Sequence, residues 1–265
     1  MIDTTTKLND HTVRYLDSNS NKQPVILLHG LGGCSDKWKS VIDILSASYR
    51  VIAPDIIGYG QSDKPVVNYT PTYMVSFVKK FITTIDIENP HIVGASLGGQ
   101  VAVQFAARYK QYMSKLVLVS PAGIMKRSTP ALDQYIMAAL YPRESSVSHA
   151  LQLMEGSERQ PSKTLIQLFM TNMKRPNAKM AFMSSLLCFK NSNTIHRHLK
   201  KVTTPTLLVW GADDPIIPVS YAGKFTSALP NCTFTTISNC GHTPYVQHPE
   251  LFCKILSDFF ATQKH

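Results

Sequence analysis

Apolar residues fall along this chain in two rhythms. Short, nearly unbroken aliphatic runs stand at VRYLDS (13–18), PVILLHG (24–30), YRVIAPDI (49–56), HIVGAS (91–96), KLVLVSPA (115–122), TPTLLVWG (204–211) and CTFTTI (232–237). Continuous runs bounded by Gly, Pro and Asp suit strands buried on both faces, as in a parallel sheet. Between them, helical spacing occupies 36–47, 70–86, 97–110, 219–228 and 249–262. The last of these, PELFCKILSDFFATQ, has a proline near its start and sets Leu251, Ile255 and Phe259 on one stripe. Alternation of this kind predicts an α/β fold with a right-handed, doubly wound, mostly parallel sheet.

Residues 124–198 break the rhythm. They offer no strand, and YIMAALYP, SHALQLME, KTLIQLFMTNM and AKMAFMSSLLCF read as about four amphipathic helices. The expectation is a helical cap inserted after the sixth strand and lying over the carboxyl edge of the sheet. Residues 1–123 and 199–265 then form the core.

Charge changes this picture in one place. The net charge is +10, and residues 123–201 hold 12 Lys/Arg against 4 Asp/Glu. A basic cap is a candidate surface for peripheral contact with anionic membrane. No zinc-finger or RNA-binding signature accompanies it, so nucleic acid is not an expected partner. No apolar run approaches the roughly 20 residues that span a bilayer, and the polar N-terminal stretch has no signal-like apolar segment. Five scattered cysteines (Cys34, Cys188, Cys232, Cys240, Cys253) lack CxxC spacing. They suit neither a disulfide framework nor a zinc site, and a reducing cytoplasmic setting is expected. Nothing in the pattern specifies an oligomeric state.

Chemistry enters at IVGASLGG. Gly94-Ala95-Ser96-Leu97-Gly98 fits G-x-S-x-G, after a strand and before a helix. Small residues on either side let a serine occupy a strained strand-to-helix turn with its hydroxyl exposed. A serine hydroxyl is a weak nucleophile and needs a base, which in turn needs an orienting acid. Downstream, WGADDPIIP (210–218) offers Asp213 and Asp214 at a strand end, and CGHTPYVQHP (240–249) offers His242 before the final helix. His29 and His248 compete for the base, and His149, His196 and His198 fall in the cap. HGLGG (29–33) is a glycine-rich loop whose amides can face an oxyanion, with the N–H groups of Leu31 and Leu97 as the candidate donors. His29, Gly30 and Tyr245 are candidate substrate contacts. Neither a metal nor an organic cofactor is needed by this set.

HGLGG, APDIIGYGQSDKP (53–65), HIVGASLGG, LVWGADDPIIP and CGHTPYVQHP, taken in order, resemble the α/β-hydrolase superfamily over nearly the whole chain. The resemblance implies the doubly wound fold and the cap between the sixth and seventh strands. It also selects Asp214 over Asp213 as the acid. The stretch HIVGASLGGQVAVQFAARY…LVLVSPAG is similar to esterases and monoacylglycerol-lipase-like members with a serine nucleophile, which implies a small acyl ester as substrate. Carbon–carbon hydrolases of the superfamily resemble the chain in the sheet region. They typically carry asparagine before the serine and tryptophan after the histidine, where this chain has Ala95 and Thr243. Ester hydrolysis is therefore expected, with carbon–carbon or amide hydrolysis, or a slow-turnover ligand receptor, as the alternatives. A flexible, Met-rich cap suits acyl groups of varied shape.

Overall fold

Strand pairing turns the continuous apolar runs into the centre of one eight-stranded sheet, described here from a computed structural model covering residues 1–156, 160–190 and 195–262. Its strands are β1 (Ile2–Leu8), β2 (His11–Asp17), β3 (Pro24–Leu28), β4 (Arg50–Pro54), β5 (His91–Ala95), β6 (Leu116–Val119), β7 (Thr206–Gly211) and β8 (Cys232–Ile237). They lie in the order β1-β2-β4-β3-β5-β6-β7-β8. Pairings from β4 through β8 are parallel, while β1 with β2 and β2 with β4 are antiparallel. The fold is thus α/β and doubly wound, with a mostly parallel sheet.

Side chains of the central strands alternate between two cores. Ile26, Leu28, Leu116 and Leu118 face one, under α2 (Pro71–Thr84) and α3 (Leu97–Tyr109). Val25, Leu27, Val117 and Val119 face the other, under α1 (Lys39–Leu45) and α11 (Pro249–Ala261). Covering both faces is what makes these strands read as unbroken apolar runs. Helix α2 starts where the Thr70 hydroxyl accepts the Tyr73 N–H and Pro71 sets the first helical φ.

Three expectations need adjustment. The expected stripe on α11 is rotated: Leu251 is exposed, and Phe252, Cys253, Leu256 and Phe260 are buried, because these face α1 and Trp38. The helices expected at 36–47 and 219–228 each begin as a 3₁₀ turn, Ser35–Trp38 and Val219–Tyr221, before α1 and α9 (Ala222–Thr226). The N-terminal segment, read only as polar, is β1, a mostly exposed edge strand with three consecutive threonines and one buried residue, Leu8.

Between β6 and β7 the chain is helical: α4 (Pro130–Leu140), α5 (Glu144–Glu155), α6 (Lys163–Lys174), α7 (Ala178–Lys190) and the short α8 (Ile195–Leu199). Of the segments expected as cap and core, residues 157–159, 191–194 and 263–265 lie outside the described residues. No described helix is long and apolar enough to cross a membrane.

Candidate active site

Ser96 stands at the carboxyl end of β5 with φ 52° and ψ −116°, a left-handed backbone that a non-glycine residue adopts only under constraint. The constraint is visible on both sides. Its N–H donates to the Val119 carbonyl, and its own carbonyl accepts the N–H groups of Gln100 and Ala122. The turn also requires glycine around it. A methyl group at Gly94 would overlap the Gly98 carbonyl, and one at Gly98 would overlap the Leu28 carbonyl. Helix α3 therefore starts hard against the end of β3, and Leu97 is its first residue.

At the end of β7, Asp214 is buried and fully engaged. Oδ1 accepts the N–H groups of Ile216 and Ile217, each at 2.9 Å, and Oδ2 lies 2.7 Å from Nδ1 of His242. Asp213 is exposed, so the pair with His242 is made by Asp214 alone. His242 is also buried, and its backbone N–H donates to the Met154 carbonyl near the end of α5, which ties the histidine loop to that helix. With Nδ1–H donating to a carboxylate, Nε2 is left as the basic nitrogen. Of the other histidines, His248 is bonded to the Asn239 carbonyl at 3.2 Å, and His149 and His196 are exposed on α5 and α8.

The glycine-rich loop after β3 is held from several directions. Gly33 N–H donates to the Gly30 carbonyl at 3.0 Å, and His29 Nδ1 lies 2.8 Å from the same oxygen. Anchoring that carbonyl turns the opposite end of the peptide, the Leu31 N–H, the other way. The Leu31 carbonyl accepts the hydroxyl of Tyr135 on α4 at 2.7 Å. Gly32 lies at φ +67°, where a methyl group would press on that hydroxyl and on Phe182. Among the described residues, neither the Leu31 N–H nor the Leu97 N–H donates to a protein acceptor.

One expectation is corrected here. His29 does not line the cavity and so is not a substrate contact. Its ring is fully buried, with Nε2 accepting the Ile56 N–H at 3.0 Å and Nδ1–H directed at the Gly30 carbonyl. Burial pushes its pKa down to about 4, so the ring is a neutral brace for the loop.

Ser96, Leu97, His242, Gly30, Leu31 and Tyr245 line a single cavity of about 240 Å³, which α4, α5 and α7 help to wall. Tyr245 stacks on Trp38 with ring centroids 3.9 Å apart. The cavity also contains residues that sequence patterning did not single out: Lys37 beside the glycine loop, Tyr135, and Lys126 and Arg127 after β6. The spacing of Lys37 and Tyr135 carries no motif, since their position depends on how the loop and α4 fold together.

A buried ionic cluster supports the loop from beneath. The Arg14 guanidinium of β2 bonds to Asp3, Asp36, Asp55 and the Ser35 hydroxyl, and Asp55 Oδ1 accepts both the Ser35 N–H and its hydroxyl. Burial alone would raise the Asp36 carboxyl, but hydrogen bonds from Arg14 and Lys39 outweigh it and hold the pKa below the ordinary value. Cys34 adjoins this cluster, and burial pushes its thiol up to about 12. With Arg14 satisfying the carboxylates and the thiol protonated, the group reads as an ion network rather than a metal centre.

Residues 23–249 match the family described as alpha/beta hydrolase fold. The chain belongs to the alpha/beta hydrolase family. Within this family it is similar to the 2-hydroxy-6-oxo-6-(2'-aminophenyl)hexa-2,4-dienoic acid hydrolase of Metapseudomonas resinovorans, at 29% identity over 94% of this chain and 87% of the relative. It is also similar to the human monoacylglycerol lipase ABHD6, at 26% identity over 91% of this chain and 76% of the relative. Among solved structures, a mutant of the meta-cleavage product hydrolase CumD superimposes with a TM-score of 0.87 at 25% identity, covering 98% of each chain. The eight-stranded, mostly parallel sheet with helices on both sides is the architecture of that family.

Proposed function

We propose that this alpha/beta hydrolase cleaves carboxylic esters through an acyl-enzyme, with Ser96 as nucleophile, His242 as base and Asp214 as the orienting acid. The observation that carries this reading is the 2.7 Å contact of Asp214 with His242, which lines the same cavity as a strained, partly exposed Ser96. Ser96 Oγ attacks the ester carbonyl carbon while its proton passes to His242 Nε2. Asp214 stabilises the imidazolium that forms. The carbonyl oxygen becomes an oxyanion facing the Leu31 and Leu97 amides, neither of which donates to a protein acceptor among the described residues. Collapse breaks the carbon–oxygen bond to the leaving alcohol, which takes the proton from His242. Water then enters by the same route and releases the acid and free Ser96.

Similarity to enzymes named as dienoic acid and meta-cleavage product hydrolases supports a second reading, carbon–carbon cleavage by the same groups. A substrate panel separates the two. Matched p-nitrophenyl esters and vinylogous 1,5-diketones, assayed with one preparation, should give kcat/KM at least about tenfold higher for the best ester. Diketone cleavage without ester turnover would assign the site to carbon–carbon hydrolysis.

A further inference from the structure

We propose that the substrate of this site carries an anionic group, a carboxylate or a phosphate, and that Lys37 binds it inside the cavity. The inference rests on the reading of Ser96 and His242 as the reacting pair, and it adds the chemical class of what they act on.

Lys37 belongs to the 3₁₀ turn Ser35–Trp38, immediately beyond the glycine loop. The next residue, Trp38, stacks on Tyr245, three positions past His242. The lysine is thereby built into the wall that joins the oxyanion loop to the histidine, and it lines the cavity. The carboxylates of the adjoining cluster are already partnered. Asp36 pairs with Arg14 and Lys39, while Asp55 is taken by Arg14, Ser35 and Gln61. Lys37 is the exception: its N–H donates to the Cys34 carbonyl, but among the described residues its ammonium makes no hydrogen bond and no ion pair. Burial lowers its pKa, while the Glu155 carboxylate acts the other way without an ion pair to the ammonium. An ammonium drawn out of water is costly unless an anion or strong acceptor meets it. The open space that Lys37 borders is the cavity itself.

The remaining charges on the lining are mainly cationic. Lys126 and Arg127 are exposed at the mouth, against one acidic side chain among the described lining residues, Asp133, which is also exposed. Exposed cations steer an anion with a strength that salt screens. Lys37, half-buried in the wall, is the group able to discriminate once the substrate is bound. A lysine presents a compact point charge rather than a planar fork, so carboxylate and phosphate are both suitable partners.

The test compares three p-nitrophenyl esters of equal chain length, one with a neutral terminus, one ending in carboxylate and one in phosphonate. In the wild-type chain at least one anionic ester should exceed the neutral ester in kcat/KM by about tenfold or more, as a charge-assisted hydrogen bond implies. Lys37→Met should lower that ratio by about tenfold or more, and Lys37→Arg should keep most of it. Which anion gains more distinguishes carboxylate from phosphate. Dissociation constants of the same esters for Ser96→Ala and for Ser96→Ala/Lys37→Met read the preference without turnover. A ratio near one in the wild-type chain, or one unmoved by Lys37→Met, overturns the inference while leaving ester hydrolysis intact. Anion preference in binding with no ester turnover would support the anionic subsite and count against the ester reading instead.

Discussion

Replacing Ser96 with alanine is expected to lower kcat on a short-chain p-nitrophenyl ester by about 10³-fold or more, with KM little changed. The change removes one oxygen and leaves the Cβ, so the strained backbone at φ 52° is no worse accommodated than before. The three backbone hydrogen bonds of residue 96 to Val119, Gln100 and Ala122 do not involve the side chain. The fold should therefore persist, with a melting temperature within a few degrees of the wild type. The Leu31 and Leu97 amides remain, so a residual rate above the uncatalysed reaction is expected from them. Activity within tenfold of wild type would exclude Ser96 as the nucleophile.

Asp214→Asn is expected to lower kcat by about 10³–10⁴-fold, and the hydrogen bonds around Asp214 say why. Oδ1 accepts two backbone N–H groups, from Ile216 and Ile217. An asparagine must keep its carbonyl oxygen toward those donors, because an NH₂ there would meet two N–H groups head-on. Its NH₂ then faces His242 Nδ1 and can only donate. The imidazole is pushed to the tautomer with its proton on Nε2, where it can no longer accept from Ser96. The loss should appear in kcat rather than KM, since Asp214 does not line the cavity. A variant that keeps more than about a tenth of wild-type kcat would remove Asp214 from the mechanism.

What the sequence made legible follows from where local pattern and final surroundings coincide. The central strands are sandwiched between helices, so their burial is written as unbroken apolar runs. The turn at Ser96 needs small residues at fixed offsets, so IVGASLGG announces itself. β1 escaped notice because an edge strand with threonines on both faces lacks the apolar alternation that marks a half-buried strand. The rotated stripe on α11 has a similar origin. Apolar residues at 251, 252, 253, 255, 256, 259 and 260 allow two stripes, and only packing against α1 and Trp38 chooses between them.

The site divides along the same line. Ser96, Asp214 and His242 each follow a strand, and the order of strands in the sheet brings those ends together. His29 sits in a motif loop, yet its ring turns inward to Ile56 and Gly30, a direction that no spacing rule encodes. Tyr135 and Lys37 acquire meaning only when α4 and the turn after the glycine loop meet over Ser96. The Arg14 cluster likewise joins residues from 3 to 55 whose pairing depends on β1, β2 and the loop stacking at one sheet edge. Long-range closure, rather than local propensity, placed all four.

The most direct test is covalent. A fluorophosphonate probe mimics the tetrahedral intermediate and reacts with a serine only when base and oxyanion donors are in place. Incubated with the full chain and analysed by peptide mass spectrometry, it should add one phosphonyl group per chain, on the peptide bearing Ser96. Labelling should vanish in Ser96→Ala and slow strongly in Asp214→Asn. A chain that stays unlabelled, or carries the label on another residue, would contradict the assignment of Ser96, His242 and Asp214 as the reacting set.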